Sequence, residues 1–223
     1  MGIKEKADPN LIFNMDEFKD ASWHKHLGDA LHIEAHYLNV AENLVDPAHV
    51  SFVHPTTLGS AASQDVPVEV STSDDPIAAW RWIRNAPPVG FFQKFGSFSG
   101  NVDRWHYYYL HLPSTAVIDF GSAASDLQLK EDERQKGLRI FAIHLSHQLP
   151  VIIRLITGCI CAMPQLVMMT PQSKSITFFA LHLKKIKKSW KRSTKKNNGN
   201  RLVHPFGLRL IAHHLFTENV SRS

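Results

Sequence analysis

Apolar and polar residues alternate over much of the first 144 positions, and the period changes at a few defined places. Residues 1–30 are loop-rich, with one short amphipathic stretch at Met15–Phe18. Leu31–Val40 alternates with the period of a strand. Ala41–His54 reads as a helix or a broken helix, and Leu58–Asp65 is a small, polar loop. Val66–Ser73 and Ala78–Arg84 are predicted strands around a turn at Ser73–Pro76. Ala86–Val102 is rich in Pro, Gly, Phe and Ser and reads as a long loop that can line a pocket. Val102–Leu112 and Ala116–Gly121 are predicted strands joined at Pro113. A charged connection over Asp126–Lys136 leads to a last strand at Gly137–His144. Strands joined by turns, with helix on one side, predict an α+β fold: an antiparallel sheet with helices on one side.

The pattern breaks after His144. Of the 25 Lys+Arg, 12 precede this point; of the 20 Asp+Glu, 19 do. Glu218 is the single acid that follows. Folded domains ordinarily mix both signs on their surface, so such a tail needs its own explanation. Leu149–Met169 is apolar but is interrupted by Arg154, Gly158 and Pro164, which argues against a membrane span. Leu183–Lys196 is a lysine run. Neither piece shows a core-facing period. The predicted organisation is therefore a folded domain over 1–144 and a basic tail over 145–223. The start, MGIKEKADPN, has no apolar signal region, and Lys6 stands where a myristoylation motif wants Ser or Thr. Cys159 and Cys161, one residue apart, form no disulfide framework and no metal knuckle. These features predict a cytoplasmic chain.

The segment Asn43-Leu-Val-Asp46-Pro-Ala-His49-Val-Ser-Phe-Val-His54 carries the candidate chemistry. Two imidazoles and a distant carboxylate can occupy one face of an octahedral Fe(II). Histidines five apart on a regular helix point about 140° away from each other. Convergence on one metal therefore needs a π-bulge or a helix end between them. Asp46 is placed to accept a hydrogen bond from a ligand's other ring nitrogen. The competing reading takes Asp46-Pro47 as a helix start and the histidines as one surface and one core residue. His32 and His36 read as sheet residues. A hydrolytic zinc site lacks the HExxH arrangement.

The surroundings decide between these readings. DALHIEAHYLNVAENLVDPAHVSFVHPTTLGS, VDRWHYYYLHLPSTAVIDFGSA and GLRIFAIH together resemble the catalytic domain of Rieske non-haem iron oxygenases, in the vanillate O-demethylase and dicamba demethylase branch. The resemblance covers roughly residues 7–144. It implies a helix-grip fold with mononuclear Fe(II) held by His49 and His54. It implies that Asp46 bridges to the Rieske cluster of a neighbouring subunit, that Asn43 sits beside the iron and that His144 contacts substrate. It also implies an activity: removal of a methyl group from a methoxylated aromatic acid such as vanillate. O2 and NAD(P)H are consumed, formaldehyde is released, and a ferredoxin-type reductase and a homotrimeric assembly take part.

Two departures stand out. A [2Fe–2S] Rieske cluster needs C-x-H and C-x2-H, and neither occurs here, so that cluster is expected to be absent from this chain. The family's third iron ligand is an Asp within a helix reading much like E-D-K-E-x-L-E-A, and only Glu218 is acidic after His144. A shifted reading frame accounts for both the missing acid and the lysines. Shifted by one base, Met168-Met169-Thr170 can encode only Asp-Asp, and Lys184–Lys188 permits Glu-Glu-Asp-Lys-Glu, with the lost Asp at Ile186. The expectation is a fragment translated out of frame from about Leu145 and inactive as it stands. The alternative is a nucleic-acid-binding protein, its basic tail gripping phosphates and Trp190 stacking a base.

Overall fold

A computed structural model of the chain describes Glu5 and residues 7–27, 30–33, 35–72, 76–148 and 153–162. It contains one antiparallel sheet of eight strands: β1 (His24–Leu27), β2 (Ala30–Ile33), β3 (Glu69–Ser71), β4 (Ile77–Ala86), β5 (Val102–His111), β6 (Thr115–Ala124), β7 (Leu138–Gln148) and β8 (Ile153–Ala162). The order is β1-β8-β7-β6-β5-β4-β3. β1 pairs with the Cys159–Ala162 half of β8 and β2 with its Ile153–Ile156 half, so the two short strands follow each other along one edge. Among the described residues four α-helices accompany the sheet: α1 (Asp16–Lys19), α2 (Tyr37–Leu44), α3 (Val50–Val53) and α4 (Gly90–Phe95).

Strand register sorts the residues into rows. Arg81, His106, Phe120 and Ile140 lie side by side across β4–β7. The next row is Ala79, Tyr108, Ile118 and Ala142, and the one after it Ile77, Leu110, Ala116 and His144. A side-chain period of two puts all three rows on one face. α2 lays Val40 and Leu44 against Ile77, Leu110 and Ala116 on that face. α4 lays Phe91, Phe92 and Phe95 against Phe120 and Ile140. The opposite face packs Val117, Phe141 and Ile143 under Phe13, Met15 and Trp23, and Trp105 and Tyr107 under Leu129. Gly121 lies beneath Trp105: a Cβ there would stand 2.1 Å from Trp105 Cζ2, so only glycine lets the indole seat. Asp119, fully buried beside it, accepts hydrogen bonds from Trp105 Nε1, Arg134 and Arg139.

Several sequence expectations shift. The stretch expected as a loop over Ala86–Val102 contains α4, because three phenylalanines spaced for one helical face find a deep apolar site on β6 and β7. Its stability comes from burying rings worth about 1.5–3 kcal/mol each, not from local propensity. The opening of the chain holds a strand, β1, which its composition does not announce. The alternation assigned to Leu31–Val40 ends at Ile33, and α2 begins at Tyr37 with His36 Nδ1 accepting from the Leu38 N–H at 3.3 Å. β7 runs on to Gln148, and a further strand, β8, pairs with it, so the sheet does not stop at residue 144. The lysine run, Trp190 and Glu218 lie outside the described residues. Among the described residues no helix is long and apolar enough to cross a membrane.

Candidate metal centre

α2 ends at Leu44, and Val45 leaves the helix with φ −109° and ψ 13°. Asp46 Oδ1 then accepts the Ala48 N–H at 2.8 Å, fixing a tight turn through Pro47. His49 stands at the N-terminal boundary of α3 with φ −60° and ψ −25°, and His54 at its C-terminal boundary with φ −124° and ψ 42°. The two histidines therefore flank a single helical turn. Their ring centres are 5.8 Å apart with planes at 67°. A helix end supplies the convergence that a regular helix forbids. Two imidazoles sharing a metal at about 2.1 Å per nitrogen have ring centres roughly 5 Å apart, so the pair fits a common cation after a side-chain adjustment of under about 1 Å. The Nδ1 atoms of both rings are buried and make no hydrogen bond.

The chain behind the pair is tightly folded. The His54 carbonyl accepts from the backbone N–H groups of Thr57, Leu58 and Gly59. Gly59 then passes directly over α3: a Cβ on it would sit 2.3 Å from the Val50 carbonyl oxygen and 2.7 Å from Ser51 Cα. This close crossing ties the far end of the motif to its centre.

Below α3 lies a polar patch of the sheet. Arg81 on β4 and His106 on β5 are register partners, with Arg104 and Tyr108 two residues to either side of His106. All four are buried. Burial, then the charges of Arg81, Arg104 and His49, holds His106 well below the usual imidazole range, so its ring is neutral. Burial lowers Arg104 to about 10, with the Arg81 charge adding to the effect. Burial likewise lowers Arg81, while the charges of Tyr108 and Asp46 oppose it. Burial raises the Tyr108 phenol. Hydrogen bonds from Arg81 Nη2 to the Pro47 carbonyl and Ser51 Oγ locate the motif above β4.

The structure thus brings His49 and His54 together, with Asp46 in the turn before them. Asn43 is half-buried on the last turn of α2. His144, 4% exposed, belongs to the same sheet face, where burial lowers its pKa to about 4. His32 lies in β2 as expected, but His36 caps α2 and is no sheet residue. Among the described residues no three of His, Cys, Asp and Glu gather as a metal-binding group. Sequence reasoning missed Arg81, Arg104, His106 and Tyr108. Their one visible signal is parity: Arg104, His106 and Tyr108 share the alternation of Leu110 and so its inward face.

Comparison with known proteins places this arrangement. Residues 33–147, just over half of the chain, match the family model described as the vanillate O-demethylase oxygenase C-terminal domain. The chain belongs to this family. Among curated members of this kind, the toluene-4-sulfonate monooxygenase system iron-sulfur subunit TsaM1 of Comamonas testosteroni is 31% identical over 137 residues, covering 60% of this chain and 39% of that protein. The vanillate O-demethylase oxygenase subunit of Pseudomonas sp. (strain HR199 / DSM 7063) is 28% identical over 129 residues, covering 55% and 36%. The chain therefore spans less than two-fifths of the length of these relatives. Dicamba monooxygenase bound to 3,6-dichlorosalicylic acid superposes with a TM-score of 0.77 at 17% identity, over all of this chain and 67% of that one. The fold is that of a Rieske oxygenase catalytic domain, as the sequence resemblance implied. A further structure of dicamba monooxygenase carries non-heme iron and dicamba, at a TM-score of 0.59.

Proposed function

We propose that this chain carries part of an iron-dependent aromatic monooxygenase site, in which His49 and His54 hold Fe(II) and the substrate is a methoxylated aromatic acid such as vanillate. One observation carries this proposal: the rings of His49 and His54 stand 5.8 Å apart, edge to face, at the two ends of one helical turn within a vanillate O-demethylase oxygenase domain. When bound, ferrous iron would supply the dioxygen chemistry. The protein's own part is placement. Asp46 holds the turn that aims His49, and it would also face the Rieske centre of a neighbouring subunit. Asn43 flanks the pair. His144, neutral at pH 7, presents one ring N–H donor and one acceptor to the substrate. The aromatic and aliphatic wall of α4, Phe120 and Ile140 keeps water from the same sheet face. The family relationship supports a ferredoxin-type reductase, a homotrimer and a cytoplasmic setting as parts of this reading.

We propose further that residues from about Leu145 onward are read out of frame, and that these 223 residues by themselves turn over no substrate. The family match ending at residue 147 supports this, as does the placing of 19 of 20 acids before residue 145. Resequencing the coding DNA tests the frame. A single-base slip near codon 145, restoring the E-D-K-E-x-L-E-A helix, is expected; a clean frame with no homologous alternative would refute it. Formaldehyde assayed from vanillate, with NADH and a family reductase added, tests the activity. No release is expected from this chain. Release is expected once the frame is restored behind an intact Rieske domain, and its absence there would count against the substrate.

A further inference from the structure

The polar patch beneath α3 has a geometry of its own. Arg81 is 2% exposed and Arg104 fully buried. Among the described residues neither forms an ion pair with a carboxylate; the ion pairs found are those of Arg84, Arg134, Lys136 and Arg139. Both guanidinium groups instead point their N–H bonds at the backbone and hydroxyls of residues 47–63. Arg81 Nη1 donates to the Ser63 carbonyl at 2.6 Å. Its Nη2 donates to the Pro47 carbonyl at 2.7 Å and to Ser51 Oγ at 3.1 Å. Ser51 Oγ and Ser63 Oγ are themselves 2.8 Å apart. Arg104 Nη2 donates to Ser60 Oγ at 2.7 Å, and its Nη1 reaches the Leu58 carbonyl at 3.5 Å.

Burying a cation without an anion is costly, and an apolar side chain would fill the same space at lower cost. A rigid guanidinium fork offers something an apolar side chain lacks: several donors at fixed angles. Arg81 uses them on three separate points of one loop. Pro47 follows Asp46, Ser51 lies between the two histidines, and Ser63 closes the segment. A shift of the 47–63 segment against β4 by an ångström would stretch all three hydrogen bonds together.

We infer that Arg81 is a positioning residue for the histidine pair, a clamp from β4 that sets the distance between His49 and His54, with Arg104 holding the loop's return. The inference rests on the iron proposal above, because the pair's spacing matters only if it holds a metal. Charge and position make opposite predictions here. A buried positive charge near a dication repels it, so if field alone mattered, neutralising Arg81 would tighten metal binding. If position matters, neutralising it loosens binding.

The test uses the full chain and Co(II), titrated anaerobically by its visible absorption, with hydrogen exchange of the apoprotein measured in parallel. Arg81→Met is expected to weaken Co(II) binding about 10–100-fold, the range for losing a support behind a ligand, and to speed amide exchange in residues 47–63 while β5 and β6 stay protected. Arg81→Lys keeps the charge but loses the fork, and is expected to behave like Arg81→Met. Ser51→Ala removes the hydroxyl that meets Arg81 and Ser63, leaves the core intact and is expected to give a few-fold loss even if the arginine variants fold poorly. Binding by Arg81→Met that is unchanged or tighter overturns the inference, whatever the exchange shows. If the wild-type chain binds no Co(II) through His49, the iron proposal fails; the exchange of residues 47–63 then decides the clamp, faster exchange supporting it and unchanged exchange overturning it.

Discussion

Acid should destabilise this protein through His144 by an amount the structure sets. The ring is 4% exposed, and burial lowers its pKa from 6.5 to about 4. An unfolded chain protonates this imidazole near pH 6.5, whereas the folded chain resists until about pH 4. Between those values the unfolded state binds more protons, so stability rises with pH and is lost as pH falls. The gap of about 2.5 pH units, at about 1.4 kcal/mol each, amounts to about 3 kcal/mol. Near 2–4 °C of melting temperature per kcal/mol in a chain of this size, the loss is about 6–12 °C. His106 contributes with the same sign, since burial first and neighbouring positive charge second hold it neutral. The His144 share is therefore read as a difference. Melting temperatures of the full chain and of His144→Asn are measured from pH 7.5 to pH 4, and the gap between the two curves should close by that amount as pH drops. Curves that stay parallel would refute the buried, neutral His144. A gap that widens on acidification would mean the ring is charged in the fold and therefore placed differently against substrate.

Two other perturbations probe the same frame. Gly59→Ala puts a methyl 2.3 Å from the Val50 carbonyl oxygen, where backbone and not a pliant side chain must give way. It should cost about 1–3 kcal/mol and lower Co(II) affinity, and an unchanged melting temperature would mean that the loop does not cross α3 this closely. Asp119→Asn leaves Arg134 and Arg139 facing a neutral amide in a site where the carboxylate is fully buried. A loss of about 3 kcal/mol in urea denaturation is expected, with metal binding unaffected because the network lies on the opposite face of the sheet.

The central strands were legible because alternation survives in β4 to β7, and the turns between them carry Pro or charge. The histidine pair was legible for a different reason: its five-residue spacing also allowed a surface and a core histidine on one regular helix, and the resemblance of the surrounding segments decided between the two. α4 was not, because six residues preceded by Pro87-Pro88 hold a helix only through tertiary burial of Phe91, Phe92 and Phe95. β4 misleads a local reading in a more instructive way. In Trp80-Arg81-Trp82 the two indoles look like the core side, yet both are half-buried while Arg81 is 2% exposed. Its hydrogen-bond partners lie 18 to 34 residues away in sequence, so no local pattern reveals that a buried cation is satisfied there.

The pairing of His49 with His54 is tested most directly by anaerobic equilibrium dialysis of Fe(II) against the full chain and against His49→Ala and His54→Ala. The wild-type chain should retain one ferrous ion per chain at weak affinity, and each single variant should release it while keeping its circular dichroism. Equal retention by all three proteins, or loss in only one variant, would show that the two imidazoles do not share a metal.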